Sequence, residues 1–292
     1  MGLAARDIIF SIDRLPAGPG KSHATERTEV GGGPAANAAA TVASLGGSAR
    51  FIGPVGDDLI GRQLIQELAS CEVDVTRVRR VPGRRSPLSA VMVDASGERA
   101  IVNHTDDSLF EQADPIEAGD LEAVDAVLAD VRWLDGAVAA LQWARSHQIP
   151  GVVDLDVGFR SPEVLLEPAS HVVFSATALR SVAEEDKLET ALSSMSKRTD
   201  AWLAVTDGAN GAYWMEGEAV SHTPAHRIEV VDTTGAGDVF HGAFALALAE
   251  GSAETAALEI ASAAAAISCT RFGGRTGLPR RDELETFLEE RR

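Results

Sequence analysis

The chain contains 292 residues, of which 45% are hydrophobic and 24% are charged, and its formal net charge is −18 at pH 7. A chain of this length can bury a large core, and we expect one large domain. Because the surplus negative charge repels polyphosphate, the composition argues against nucleic acid or an anionic membrane as a partner. An anionic small molecule would need a local group of basic side chains.

The two cysteines, Cys71 and Cys269, lie far apart and have neither CxxC nor metal-ligand spacing. Free thiols of this kind are typical of a reducing compartment. The sequence has no run of 18 apolar residues, and its first ten residues lack the charged and apolar regions of a signal peptide. These features predict a soluble, cytoplasmic protein.

Short apolar runs alternate with helical patterns along most of the chain. Strands are predicted at residues 51–55, 126–131, 151–155, 171–175 and 202–206, and helices at 61–70, at 136–147 and after Ser175. This alternation predicts an α/β fold with a parallel, doubly wound sheet.

Two segments depart from the strand and helix alternation. Residues 8–30 and 86–104 alternate apolar and polar side chains around turn signals such as DASGE at 94–98. Such a pattern is typical of a hairpin-like pair of strands. We expect a small β flap beside the main sheet, placed to act as a lid.

A glycine cluster occupies residues 28–47, TEVGGGPAANAAATVASLGG. It formally satisfies the dinucleotide-binding pattern GxGxxA, but the preceding segment is polar and no βαβ unit surrounds it. A better interpretation is that Gly32 and Gly33 let the backbone approach a polyhydroxy ligand. Asn37, one helical turn later, would offer a donor and an acceptor to its hydroxyls.

A second small-residue cluster lies in VVDTTGAGDVFHGAF, residues 230–244. The amides of Gly235, Ala236 and Gly237 begin an apolar helix, where unpaired N–H groups favour an anion. Asp238, in the first turn, could accept a proton from a hydroxyl while those amides stabilise a transferring phosphoryl group. An ordinary helix N-terminus, where Asp is common, explains the same residues equally well.

The segments GGGPAANAAATVASLGG and DTTGAGDVFHGAF together resemble the paired signatures of the pfkB, or ribokinase-like, family of ATP-dependent sugar kinases. VGDDLIGRQLIQEL, VTDGANG and GGRTGLP also fall in the family's order, so the resemblance covers nearly the whole chain. It implies an α/β/α sandwich with a mostly parallel central sheet and a small β lid, in a single domain over residues 1–292. It also implies ATP and Mg²⁺ as cofactors.

The resemblance assigns roles to the residues that match the family's motifs. The phosphoryl-transfer group would consist of a catalytic base, Asp238, and an anion hole, Gly235, Ala236 and Gly237. The residues that hold the sugar would be Gly32, Gly33 and Asn37, and those beside the nucleotide would be Thr206, Gly208 and Gly211.

A further sugar-binding aspartate follows a glycine by five residues in this family, and Gly2 and Asp7 have that spacing. The family has an apolar strand before that glycine, where only Met1 stands here. We expect either a start placed too far downstream or a missing first strand, and we expect restored upstream codons to raise solubility and activity.

The family's NxxE element, which orders magnesium and phosphates through water, is not matched. Ser175 and Ala178 stand where Asn and Glu are expected. The sequence therefore does not identify the residues that bind the metal. Asp154 and Asp156 follow a strand nearby and could contribute through water, although helix capping is an equal alternative.

Three residues bear on the choice of sugar: Lys21 in the predicted flap, Asn103 at the end of a flap strand and Arg132 just after the strand 126–131. Two cations and an amide could bind the phosphate or sulfonate of an anionic sugar. From the residues alone, these three could equally be ordinary surface or lid residues that bind no ligand.

These segments and their neighbours resemble the branch of the family that acts on 6-deoxy-6-sulfofructose, in which matching Lys, Asn and Arg bind the sulfonate. The implied reaction transfers a phosphoryl group from ATP to the C1 hydroxyl. Alternatives are a phosphorylated ketohexose, such as fructose or tagatose phosphate, a neutral sugar such as fructose or ribose, and a noncatalytic sugar-binding regulator. The resemblance also predicts a homodimer formed through the β lid.

Overall fold

The computed structural model describes residues 1–95, 98–157 and 163–291. Its main sheet has six strands in the order β12-β11-β10-β9-β8-β7. The strands are β7 (Val127–Asp130), β8 (Gly151–Leu155), β9 (His171–Ser175), β10 (Trp202–Thr206), β11 (Ala212–Glu216) and β12 (Ala219–Thr223). β7 to β10 are parallel, and β11 and β12 complete the sheet in antiparallel pairing.

The described part of the chain contains ten α-helices. They are α1 (Pro34–Ser44), α2 (Leu59–Ser70), α3 (Asp107–Glu111), α4 (Leu134–Ser146), α5 (Glu163–Leu166), α6 (Ala176–Ala183), α7 (Leu188–Met195), α8 (Ala236–Ala249), α9 (Glu254–Cys269) and α10 (Arg281–Glu289). None of them is long and apolar enough to cross a membrane.

Two hydrophobic cores lie on opposite faces of the main sheet. Val153 and Leu155 of β8 pack with α4 to α7 on one face, whereas Val152 packs with α8 and α9 on the other. Because successive side chains of a strand point to opposite faces, a strand covered on both sides is mostly apolar along its length. This explains the continuous apolar runs in the sequence, and the three layers confirm the predicted α/β/α sandwich.

Four of the five predicted main-sheet strands are confirmed, and the one at 51–55 is wrong. The strand there is β3 (Pro54–Gly56), which pairs only with β4 (Arg79–Val81) in a separate two-stranded sheet. Phe51 is buried, but its backbone N–H bonds the oxygen of Asp74 outside any strand. An apolar run also arises where a loop crosses a core, which periodicity alone does not distinguish from a strand.

The predicted flap corresponds to a four-stranded sheet in the order β2-β1-β5-β6. Its strands are β1 (Ala5–Ile12), β2 (Glu26–Gly32), β5 (Leu88–Asp94) and β6 (Arg99–His104). β1 starts before residue 8, and it pairs in parallel with β5 as well as antiparallel with β2. The flap is therefore one continuous sheet rather than separate hairpins; residues 96 and 97 of the predicted DASGE turn lie outside the described residues.

The first residues lie along the outer edge of β7. The Met1 amine donates to the oxygen of Leu128 at 2.5 Å, and the Asp130 N–H donates to the Met1 oxygen at 3.1 Å. A groove of about 430 Å³ runs beside this edge and includes Ile52 and Leu246 in its lining.

Candidate active site

The start of α8 is an open helix N-terminus. Gly235 precedes the helix in a left-handed conformation with φ of 74°, and no side chain caps the helix there. The first amides of a helix have no partner within it, so they are available to an anion. The helix start has no side-chain cap, the Ala236 N–H donates to the Thr233 oxygen at 3.3 Å, and the anion-hole role of this segment stays a prediction.

Asp238 lies in the first turn of α8 and meets Asn37 of α1. The Nδ2 of Asn37 donates to the Oδ2 of Asp238 at 2.7 Å. The two helices approach closely at Gly242, where a Cβ would lie 2.6 Å from the backbone oxygen of Ala38. The glycine one turn after Asp238 thus allows the close approach at which the amide reaches the carboxylate.

The environment of Asp238 suits a proton acceptor near neutral pH. Burial and the neighbouring Asp154 carboxyl raise the pKa of Asp238 to about 7, against the opposing effect of the Asn37 hydrogen bond. A base whose pKa lies near the working pH combines a useful ionised fraction with a strong drive to take a proton. A pKa raised by burial and a like charge is typical of functional sites.

A buried histidine, His241, lies directly beneath the first turn of α8. Its Nδ1 lies 2.7 Å from the oxygen of Gly237, so it carries the proton there, and its Nε2 lies 3.4 Å from Oδ1 of Asp154. Burial lowers the pKa of His241 and raises that of Asp154 well above its ordinary value. His241 was not among the predicted site residues, although its position three residues after Asp238 places both on one helix face.

Asp7, Ser89 and Asn103 form a row across the small sheet. Asp7 pairs in register with Ser89, and Ser89 pairs with Asn103, so the three side chains share one face at strand spacings of about 4.8 Å. A Cβ on Gly32 would lie 2.2 Å from an Asp7 carboxylate oxygen, so only glycine leaves room for it. Burial raises the pKa of Asp7, and the Ser89 hydrogen bond and Arg275 act against this rise.

The other two members of the predicted anion clamp are exposed. Lys21 lies in the irregular segment between β1 and β2, and its side chain has no hydrogen bond or ion pair within the described residues. Arg132 follows β7, and its N–H donates to Oδ1 of Asp130 at 2.9 Å. Burial raises the pKa of Asp154, and the charge of Arg132 acts against that rise. The structure thus aligns Asn103 with Asp7, whereas no hydrogen bond among the described residues joins Lys21 or Arg132 to Asn103.

The predicted nucleotide residues continue from the end of β10. Thr206 is its last residue, Gly208 begins a short 3₁₀ turn over Gly208–Asn210, and Gly211 follows directly. Ligands of open α/β sheets bind beyond the carboxyl ends of the parallel strands. Thr206 and the residues after it lie at that edge, as do Asp130 of β7 and Asp154 of β8.

Ser175, which stands at the Asn position of the unmatched NxxE element, is hydrogen-bonded to Asp156. The Ser175 hydroxyl donates to Oδ1 of Asp156 at 2.8 Å and accepts from the N–H of Ala178, thereby capping α6. Ser175 therefore caps α6, and the other role that the sequence left open for Asp154 and Asp156, helix capping, stays a prediction. Within the described part of the chain, no three His, Cys, Asp or Glu side chains are grouped so as to hold a metal ion.

One buried cation was not identified from the sequence. Arg275, in the loop between α9 and α10, donates from Nε to Oδ1 of Asn37 at 2.9 Å and from Nη2 to the oxygen of Gly32 at 3.0 Å. The sequence contained it only within the motif GGRTGLP. A long-range contact between residues 238 positions apart leaves no local pattern that would reveal it.

Comparison with known proteins identifies the family of this chain. Residues 1–281 match the pfkB family carbohydrate kinases. A ribokinase from Bacillus subtilis is 29% identical over 99% of this chain and 98% of its own length, and an ATP-dependent ribose-1-phosphate kinase from Halopiger xanaduensis is 33% identical over 98% and 95%. A solved structure of a proposed ribokinase from Agrobacterium tumefaciens has a TM-score of 0.94 and 37% identity, over 99% of this chain and 96% of that one.

The fold and these similarities define an ATP-dependent carbohydrate kinase, with ATP and Mg²⁺ as cofactors. The chain belongs to the pfkB family of carbohydrate kinases. Its fold is the ribokinase-like α/β fold, as expected from the two glycine-rich motifs.

Proposed function

We propose that the enzyme phosphorylates the C1 hydroxyl of an anionic ketohexose, 6-deoxy-6-sulfofructose, with Asp238 as the catalytic base. The observation that carries this proposal is the Asp238 carboxylate, held by Asn37 in the first turn of a helix whose N-terminus has no side-chain cap. A carboxylate with a pKa near 7 beside open amides matches proton removal coupled to phosphoryl transfer.

The proposed step is a balanced transfer. The C1 oxygen forms a bond to the γ-phosphorus while the bond from that phosphorus to the β,γ-bridging oxygen breaks, and Asp238 takes the hydroxyl proton. The amides of Gly235, Ala236 and Gly237 stabilise the charge on the transferred group. The products are ADP and the sugar 1-phosphate.

The sugar would lie between the small sheet and α1. Asp7, Gly32 and Gly33 face the sugar hydroxyls in this proposal, supported by the close approach of Asp7 to Gly32. Asn37 uses one amide hydrogen on Asp238 and its oxygen on Arg275, which leaves one N–H for the sugar. The small sheet then acts as the lid.

The anionic end of the sugar would bind Asn103, Lys21 and Arg132. Asn103 shares a sheet face with Asp7, and both cations have side chains exposed to incoming ligand. In a protein with a net charge of −18, local cations must offset the repulsion of a sulfonate or phosphate. The similarity to a ribose-1-phosphate kinase supports a phosphorylated sugar as the second candidate.

The nucleotide would lie beside Thr206, Gly208 and Gly211 at the edge of the main sheet. Mg²⁺ neutralises phosphate charge when it is bound with ATP, and carboxylate oxygens are ligands that suit it. Asp156, which is partly exposed, is a better candidate than the buried Asp154 to reach it through water.

Two features complete the proposal. Ile101 and Val102 of β6 are more than half exposed, which supports a homodimer formed through the lid. Both cysteines are free thiols, which supports a reducing, cytoplasmic setting.

A substrate panel tests the proposed specificity. We expect the highest kcat/KM for 6-deoxy-6-sulfofructose, with lower values for fructose 6-phosphate, fructose and ribose. Arg132→Ala should raise KM for the sulfonate at least tenfold more than KM for fructose, because a hydrogen bond between charged groups is worth about 1.5 to 3 kcal/mol. Arg180→Ala, the same change at a distant cation on α6, is the control. Equal effects of Arg132→Ala on both sugars would refute the clamp.

A further inference from the structure

The guanidinium of Arg275 lies at the meeting point of three elements. It donates to Oδ1 of Asn37 on α1 and to the oxygen of Gly32 at the end of β2, and its Nη1 lies 4.0 Å from Oε2 of Glu67 on α2. Its side chain is only 9% exposed. A cation so deeply buried needs interactions that offset its desolvation, because removing a charge from water is costly.

Asn37 stands between a group that can only donate and a group that accepts. The guanidinium offers N–H donors alone, and an ionised carboxylate offers acceptors alone. With Arg275 on one side, the Asn37 oxygen must face the guanidinium, and the amide nitrogen must face Asp238. Without that cation, the amide could flip and accept a hydrogen bond from a protonated Asp238, and only the ionised carboxylate would oppose the flip.

Arg275 is also paired with Glu67, which in turn binds Arg6. Glu67 accepts a hydrogen bond from Nη2 of Arg6 at 2.6 Å, and the Arg6 side chain is 5% exposed. Arg6, Glu67 and Arg275 therefore alternate in charge, which limits the cost of burying two cations. The planar guanidinium bonds Asn37 and Gly32 at once, a geometry that an ammonium group cannot reproduce.

We propose that Arg275 is a positioning residue for the base: by fixing the Asn37 amide, it keeps an N–H donor on the Asp238 carboxylate in the ionised form. Arg275 touches no reacting atom in this scheme. The proposal rests on the proposed function of Asp238.

Several groups face Asp238 and set its ionisation. Asp130 on β7 and Asp154 on β8 oppose it, whereas Asn37 on α1 and His241 on α8 favour it. Among the described residues, Asn37 provides the side-chain hydrogen bond to this carboxylate. Removing that donor leaves burial and two carboxyls opposed by His241, so the pKa of Asp238 should rise.

The test is the pH dependence of kcat/KM for 6-deoxy-6-sulfofructose, measured at saturating MgATP. Fructose replaces it if the sulfonate is not turned over. We expect Arg275→Met to move the acid limb upward by about one pH unit, which makes kcat/KM about tenfold lower at pH 6 and nearly unchanged at pH 9. A merely structural defect would lower kcat/KM at every pH. Arg271→Met, in the same loop but paired with Glu283, should leave the limb in place.

A double-mutant cycle tests the route through Asn37. Asn37→Ala should shift the limb as Arg275→Met does, and the double variant should shift it no further. Arg275→Gln has a shorter side chain that cannot reach Asn37 and Gly32 together, so it should also shift the acid limb. It serves as the test if Arg275→Met is insoluble. An unshifted limb in the soluble variants, or additive shifts, would overturn the proposal.

Failure of the base assignment is separable from failure of this inference. If Asp238→Asn keeps wild-type turnover, the proposed function falls. If Asp238→Asn is inactive while the Arg275 variants keep the wild-type limb, only the positioning role falls.

Discussion

The Nδ2 of Asn37 lies 2.7 Å from the Oδ2 of Asp238, although 201 residues separate them in the chain. This contact joins the two glycine-rich motifs into one site. It also means that the amide does more than face a sugar, because one side of it is committed to the base and the other to Arg275.

The pH dependence of the wild-type enzyme should reflect Asp238. Since burial and Asp154 raise the pKa of Asp238 to about 7, kcat/KM should fall tenfold per pH unit below that value. Asp238→Asn should lower kcat by about 10² to 10⁴-fold at pH 8, because the general base is lost. Steady-state kinetics from pH 5 to 9 check both statements. An acid limb centred near pH 5 would contradict the first.

Asp238 should also make folding stability depend on pH. Its folded-state pKa lies above the ordinary value of 3.8, so its favourable contribution is present below about pH 4 and is lost as pH rises through about 7. Asp238→Asn cannot ionise, so its melting temperature relative to wild type should increase from pH 4 to pH 8. Each pKa unit corresponds to about 1.4 kcal/mol.

The control for this measurement is Asp114→Asn, an exposed residue outside the site. Its melting temperature relative to wild type should stay constant over the same pH range. A difference for Asp238→Asn that is equal at pH 4 and pH 8 would show that the carboxyl has no raised pKa in the folded protein.

Gly32→Ala should disable the sugar side of the site. The added Cβ would lie 2.2 Å from a carboxylate oxygen of Asp7, which must then move away. We expect kcat/KM for the sugar to fall by about 10² or more, since small displacements of binding groups have effects of this size, while KM for ATP changes little. Gly18→Ala is the matched control, because its Cβ would meet nothing within 4 Å. Equal kinetics for the two variants would contradict the assignment.

Phe244→Ala should destabilise the helix that carries the base. Phe244 is fully buried, stacks on Trp202 at 5.5 Å and lies within the core formed by α8 and α9. Loss of this ring should cost about 3 to 5 kcal/mol of unfolding free energy. Phe272→Ala makes the same change at a side chain that is 62% exposed, and should cost less than about 0.5 kcal/mol. Chemical denaturation compares them, and similar costs would contradict the packing argument.

Local sequence patterns predicted the buried strands of the main sheet and the uncapped start of α8. β8, β9 and β10 coincide with the predicted apolar runs, because strands buried on both faces are mostly apolar, although β8 contains Asp154 and β9 contains His171. Small residues before an apolar helix likewise predicted the open start of α8, since that geometry depends on neighbours in the chain. The segment at 51–55 was predicted wrongly, because a buried loop and a buried strand have the same apolar content.

The sequence by itself determined the layered α/β architecture, the family and the identity of Asp238 as the candidate base, since each rests on composition or on contiguous motifs. Only the tertiary structure decided which groups meet that base. Arg275 reaches Asn37, His241 reaches Asp154, and Asn103 aligns with Asp7. These contacts depend on helix packing and strand register, which arise from the whole chain and leave no trace in any short segment.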